Sequence, residues 1–161
     1  MKLRYQRVSD AKRYHEILNN PNFKYISAMP GTIRDEEIFL SQGPEKRRKN
    51  IAYNYAVVHL GKVVGGIGVI INQSARHIGI LGYFIEEAWW GKGFATKALK
   101  AVEKIGFEKL KLTRLEILIA CPNKASVKVA QKCGYVKEGM LRKRLFIKGR
   151  YEDAYLFAKT R

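Results

Sequence analysis

The stretch Tyr83-Phe84-Ile85-Glu86-Glu87-Ala88-Trp89-Trp90-Gly91-Lys92-Gly93-Phe94-Ala95-Thr96 decides how this chain is read. It begins as a strand, passes through a turn bearing two glycines, and starts a helix at once. At such a junction successive backbone N–H groups point out of a helix N-terminus. Unsatisfied donors and the positive end of the helix dipole there favour an anion such as phosphate. Gly91 and Gly93 remove Cβ atoms that would obstruct the anion and permit a positive φ. The Gly-x4-Gly-Lys-Ser/Thr spacing of a P-loop is missing, and so is the Gly-x-Gly-x-x-Gly fingerprint of dinucleotide folds. Taken alone, the segment is more economically a turn that links strand to helix, and its surroundings have to decide.

Upstream, residues 52–60 and 62–72 are rich in Val, Ile and Tyr and meet at Leu60-Gly61-Lys62, a hairpin pattern; residues 77–85 read as a third long strand. The chain opens with a short strand over 2–7. Ser9 then offers a cap to a helix reaching about Asn19, with Ala11, Tyr14, Ile17 and Leu18 near helical spacing. Thr32-x-x-Asp35 resembles a capping box with Asp in place of Glu, opening a helix that ends near Gly43. The run Lys46-Arg47-Arg48-Lys49 reads as an exposed loop.

Downstream, residues 94–108 are helical, with Ala95, Ala98, Leu99, Val102 and Ile105 inward and Lys97, Lys100 and Lys104 outward. Residues 113–120 form a strand apolar enough to be covered on both faces. A helix follows from Pro122-Asn123 to Gly134, with Lys124, Lys128 and Lys132 in line on its outer side. Two last strands, about 140–147 and 151–159, turn at Lys148-Gly149-Arg150. The order β-α-α-β-β-β-α-β-α-β-β predicts an α+β domain on a mostly antiparallel sheet with helices on its faces, one domain over residues 1–161.

Composition narrows the class. With 161 residues and 47% hydrophobic content, the chain is long enough to bury a core and too apolar for disorder. No apolar run is long enough to span a membrane, and no secretion signal opens the sequence, so a cytoplasmic setting is expected. Cys121 and Cys133 lack partners at ligand spacing, so no metal is expected. Lys and Arg number 31 against 14 Asp and Glu, a net charge of +17. Such a surplus gathers anions, whether phosphorylated small molecules, nucleic acid or acidic protein, and equally suits a solvated lysine coat.

A second segment carries a pattern of its own: Ala120-Cys121-Pro122-Asn123-Lys124-Ala125-Ser126, continuing through Val129 and Lys132 to Gly134-Tyr135. Asn123 caps a helix and Ser126 projects from its first turn. In this order and separation, the two segments resemble the GNAT superfamily of acetyl-CoA-dependent N-acetyltransferases. The motif Gln/Arg-x-x-Gly-x-Gly/Ala falls on residues 90–95, with Trp90 in the place of Gln or Arg. The motif Asn-x-x-Ser-x-x-Val/Ala, followed by Lys-x-Gly-Phe/Tyr, falls on Asn123, Ser126, Val129, Lys132, Gly134 and Tyr135. Leu3-Arg4, Ser9-Asp10-Ala11, Glu138-Gly139-x-Leu141-Arg142 and Gly149-x-Tyr151-x-Asp153 resemble the ribosomal-protein alanine acetyltransferase (RimJ/RimL-like) branch.

The resemblance implies a GNAT fold whose sheet is splayed between the fourth and fifth strands. It implies that the pantetheine arm of acetyl-CoA pairs with the main chain at Phe84 and Ile85, and that its pyrophosphate rests on amides of Gly91, Lys92, Gly93, Phe94, Ala95 and Thr96. Asn123 would face the pantetheine and Ser126 the thioester sulfur, with Lys92, Lys128 or Lys132 near the 3′-phosphate. The implied reaction is direct attack of a neutral amine on the thioester. An α-amine, with a pKa near 8, is far easier to neutralise than a lysine near 10.4. Many members donate to the leaving thiolate from a tyrosine seven residues after the motif asparagine. That position is Ala130 here, so Ser126 is the substitute. Glu86 is the candidate base or holder of a basic water, ahead of Tyr83 and His77. Position 145 is Leu and offers no carboxylate.

The acceptor expected from the branch is a protein N-terminus, with the basic charge suiting one attached to a ribosome. Asp35, Glu36, Glu37, Glu86 and Glu152 are the acids available to attract an amine. A polyamine or aminoglycoside acceptor is the rival within the enzymes; an acyl-CoA sensor or RNA-binding module is the rival outside them. Nucleic-acid contact and oligomerisation stay open.

Overall fold

The computed structural model describes residues 1–27 and 31–161. In chain order the elements are β1 (Lys2–Tyr5), α1 (Ala11–Leu18), α2 (Ile33–Ser41), α3 (Gly43–Arg48), β2 (Ala52–His59), β3 (Lys62–Ile71), β4 (Ile78–Ile85), α4 (Phe94–Lys104), β5 (Arg114–Ala120), α5 (Lys124–Lys132), β6 (Val136–Ile147) and β7 (Arg150–Thr160). Seven strands form one sheet in the order β1-β2-β3-β4-β5-β7-β6. Every neighbouring pair is antiparallel except β4 and β5, which run parallel through α4. This is the GNAT fold expected from the sequence, α+β with helices on both faces.

Alternation along the strands sorts the core into two layers. Val69, Leu81, Ile85, Leu115, Ile117 and Phe157 pack under α4 and α5 together with Ala98, Leu99, Val102 and Ala130. On the opposite face Ala56 and Val63 pack against Ala11, Tyr14 and Leu18 of α1 and Leu40 of α2. Phe84 joins that second layer, its ring edge-on to Tyr14 at 5.4 Å. Gly66 makes room for it: a Cβ there would come within 2.7 Å of the Phe84 ring.

The element order differs from the expected one by a single helix. Lys46–Lys49 is no loop; its first three residues belong to α3, which Pro44 opens and which Glu45 ties to Arg48 and Lys49 one turn on. Ser9 does not cap the first helix. A 3-10 turn over Val8–Asp10 leads into α1, and the buried Asp10 carboxylate accepts from the Arg7 N–H and from both Arg4 terminal nitrogens. The Thr32–Asp35 capping box is present as read. β6 begins at Val136, four residues early, and α4 passes into a π-helical turn at Ile105–Lys109. β5 is fully covered on one face only; its other face carries the Arg114–Glu116 ion pair.

Candidate functional site: a parted sheet beside an uncapped helix

The parallel pairing of β4 and β5 runs from Ile78↔Arg114 to Leu81↔Ile117 and stops there, although β4 continues to Ile85 and β5 to Ala120. Beyond Leu81 the strands part. Antiparallel bonding decides which groups of β4 face the gap, because successive residues point their main chain to opposite sides. Asn72 N–H bonds Ile78 O and Glu86 N–H bonds Val64 O, so even-numbered residues of β4 are turned to β3. The main chain of Tyr83 and Ile85 therefore faces the gap. That of Phe84 faces Gly66 of β3, so of the two backbone positions implied for cofactor pairing only Ile85 lies on the open edge, with Tyr83 beside it. The Ile85 carbonyl already accepts from the Trp90 indole N–H at 2.5 Å, leaving the Ile85 N–H and the Tyr83 amide groups along that edge.

The turn after β4 carries both glycines in the left-handed region, Gly91 at φ 72° and Gly93 at φ 77°. A Cβ on either would meet nothing within 4 Å. These residues are glycine for conformation and for the open space before them, not for packing. Gly93 is the N-cap of α4 and no side chain caps that helix; the first intrahelical bond runs from Lys97 N–H to Gly93 O. The amides of Phe94, Ala95 and Thr96 thus precede the helix's own ladder. α2 and α5 differ, because Thr32 and Asn123 accept from their N3 amides. Trp89 buttresses the turn against the core, edge-on to His59 and beside Phe94, and the Lys92 ammonium lies 5.0 Å from the Trp89 ring. Lys128 and Lys132 are exposed on α5.

Asn123 and Ser126 sit where β5 turns into α5, on the far bank of the gap. The Asn123 side-chain oxygen accepts from the Ser126 N–H at 3.1 Å. The Tyr83 phenol reaches into the same layer from β4, and its buried oxygen closes no hydrogen bond. Burial pushes its acidity down, raising its pKa; the Ser126 hydroxyl opposes that shift and the Cys133 thiol adds to it.

Glu86 lies on the other face of the sheet, toward α1. Its carboxylate is 2.6 Å from an Arg13 guanidinium nitrogen, and Arg13 also donates to the Val63 carbonyl at 3.0 Å. The next carboxylate, Glu87, accepts from the Asn20 and Asn22 side chains at 2.6 and 2.7 Å, tying the segment after α1 to the start of the glycine turn. Arg13, Asn20 and Asn22 were invisible in the sequence, because only packing brings them to residues more than 60 positions away. His77 stands outside the group: it precedes β4 at its paired end, where its carbonyl accepts from Thr113 and Arg114. At about 3.3 Å per residue it is roughly 26 Å from Ile85.

The other acids are variously engaged. Asp35 is spent on the α2 cap, which holds its carboxyl below the ordinary range, and Glu37 pairs with Arg34. Glu36 is half-buried, and burial raises its carboxyl. Among the described residues no group of three or more His, Cys, Asp or Glu is placed to hold a metal ion, and no helix is long and apolar enough to cross a membrane.

The sheet thus parts after a parallel pair, beside a glycine turn and the start of a helix that no side chain caps. Residues 1–136 match the family described as "Acetyltransferase (GNAT) domain", and the chain belongs to that family of N-acetyltransferases. It is 29% identical over 130 residues to "Probable N-acetyltransferase YjcK" of Bacillus subtilis (strain 168), spanning 79% of this chain and 72% of the relative. The ribosomal-protein-S5-alanine acetyltransferase of Vibrio fischeri superposes with a TM-score of 0.87 at 26% identity, covering 98% of this chain and 91% of that one. The microcin C7 self-immunity acetyltransferase MccE, solved in complex with acetyl-CoA and AMP, superposes with a TM-score of 0.87 at 23% identity, covering 99% and 91%.

Proposed function

We propose that residues 1–161 act as one acetyl-CoA-dependent N-acetyltransferase domain whose acceptor is the α-amine of a protein N-terminus, of the ribosomal-protein type. The observation that carries the cofactor reading is the open space before Gly91 and Gly93, at a helix whose first amides no side chain caps. In this reading the amides of Gly91 through Thr96, Lys92 among them, hold the pyrophosphate. The exposed main chain at Tyr83 and Ile85 pairs with the pantetheine. Asn123 stiffens the first turn of α5, and the Ser126 hydroxyl donates to the departing thiolate.

Acceptor chemistry belongs to the opposite face. There Glu86, held by Arg13, orients a water or the incoming amine and takes up its proton. An α-amine is partly neutral near pH 7 and so demands less of a base than a polyamine does. The similarity to the S5-alanine acetyltransferase supports the N-terminal acceptor, and the +17 charge supports one carried on a cytoplasmic ribosome.

Isothermal titration tests the cofactor step: acetyl-CoA should bind, and no heat at millimolar cofactor overturns the reading. A turnover screen over peptides with free N-termini, spermidine and aminoglycosides tests the acceptor, with mass spectrometry locating the acetyl group. Acetylated peptide α-amines are expected. Turnover of spermidine or an aminoglycoside alone overturns the acceptor and leaves the cofactor reading standing. Salt-sensitive RNA binding without thiol release overturns the enzyme reading.

A further inference from the structure

Tyr83 is placed two residues beyond the last β4–β5 pair, on the bank of the gap, with its ring in the layer under α4 and α5. Its hydroxyl is shut away from solvent and has no hydrogen-bond partner. Folds rarely leave a buried hydroxyl idle, since it loses its hydration and gains nothing in return. Tyr14 and Tyr135 share that state, but Tyr14 packs on the α1 face and Tyr135 lies past the far end of α5. Only Tyr83 stands at the opening, where Ser126 lies on the opposite bank.

We propose that Tyr83 is a positioning residue for acyl transfer: once the thioester lies in the gap, its O–H, unpaired until then, donates to the Ser126 oxygen and so turns the Ser126 O–H toward the sulfur that leaves. The inference rests on reading the gap as the thioester site. In the transfer, the amine nitrogen bonds to the carbonyl carbon, the C–S bond breaks, and its electron pair departs on sulfur. The proton shed by the amine goes to solvent through the base, and the thiolate regains one from solvent. Tyr83 and Ser126 keep their protons throughout. Burial makes the phenol a poorer acid, which suits a donor that must stay neutral.

The test needs no acceptor. Coenzyme A itself is bound to the full chain, and ionisation of its thiol is followed by thiolate absorbance across pH. Tyr83→Phe removes only an unpaired hydroxyl, so its melting temperature should stay level or rise. Its bound thiol should require about a tenfold lower proton concentration to ionise than in the unsubstituted protein. Ser126→Ala should shift the titration at least as far, and the double variant no further than Ser126→Ala. Desulfo-coenzyme A, which lacks the thiol, should bind all four proteins within about twofold. Superimposable titrations for Tyr83→Phe and the unsubstituted protein overturn the inference alone, as do additive shifts in the double variant. Failure of every protein to bind coenzyme A overturns it together with the reading of the site.

Discussion

Asp10 is the one acid buried among the described residues, at 5% exposure. Burial by itself would raise its carboxyl, but the hydrogen bonds from Arg4 and the Arg7 amide outweigh that and hold it below the usual range. A carboxyl depressed in the folded state contributes stability that is complete above the ordinary value near pH 4 and drains away as pH falls through the folded one. Unfolding midpoints in denaturant should therefore drop below pH 4, and Asp10→Ala should flatten that drop. The same substitution should cost about 3 kcal/mol at neutral pH by stranding Arg4. Gly93→Val forces a β-branched residue into the left-handed region, at about 1–2 kcal/mol, and fills the space before α4. It should weaken acetyl-CoA binding at least tenfold by calorimetry. Gly61→Val, at φ 76° in the β2–β3 hairpin, carries the same strain away from the gap and should leave binding unchanged. The positive φ of Gly91 and Gly93 and the Asn123 helix cap were legible in the sequence because each is a local property of the backbone. The Glu86–Arg13 pair was not, because it exists only once α1 packs on the sheet.

At the scale of elements, periodicity gave most of the helices and strands, and its failures share a cause. Lys46–Arg48 read as a loop because charge dominates there, yet short-range ion pairs at helical spacing stabilise a helix without any apolar stripe. The start of β6 was missed because Val136–Gly139 belongs to an edge strand with little burial to reveal it. The most consequential link between elements is Glu87, gripped by Asn20 and Asn22. Glu87→Ala should raise amide exchange over residues 19–27 and 87–93 together, while global stability falls by about 1 kcal/mol or less. Exchange rising in one segment without the other would mean that the two are not mechanically joined.

The whole molecule is dominated by like charge. With a net +17, self-repulsion opposes the compact state more than scattered surface ion pairs support it. Screening should therefore help: the melting temperature should rise between about 0.05 and 0.5 M sodium chloride, where the Debye length shrinks below about 10 Å. A fall over that range would show that attractive pairs prevail. The sequence carried the order of the elements along the chain, and the family resemblance implied a splay between the fourth and fifth strands. The extent of that pairing, four residues of β4 and no more, is a property of the assembled sheet and had to be seen.

One consequence follows from the outer rim. β6 ends the sheet, and between Leu141 and Leu145 its register slips, with Lys143 at φ 50° and its N–H claimed by the Asp153 carboxylate. A foreign strand sliding along that rim would lose step at the kink and meet Arg142, Lys143 and Arg144 in succession. The molecule is thereby armoured against fibrillar self-templating at its most accessible margin.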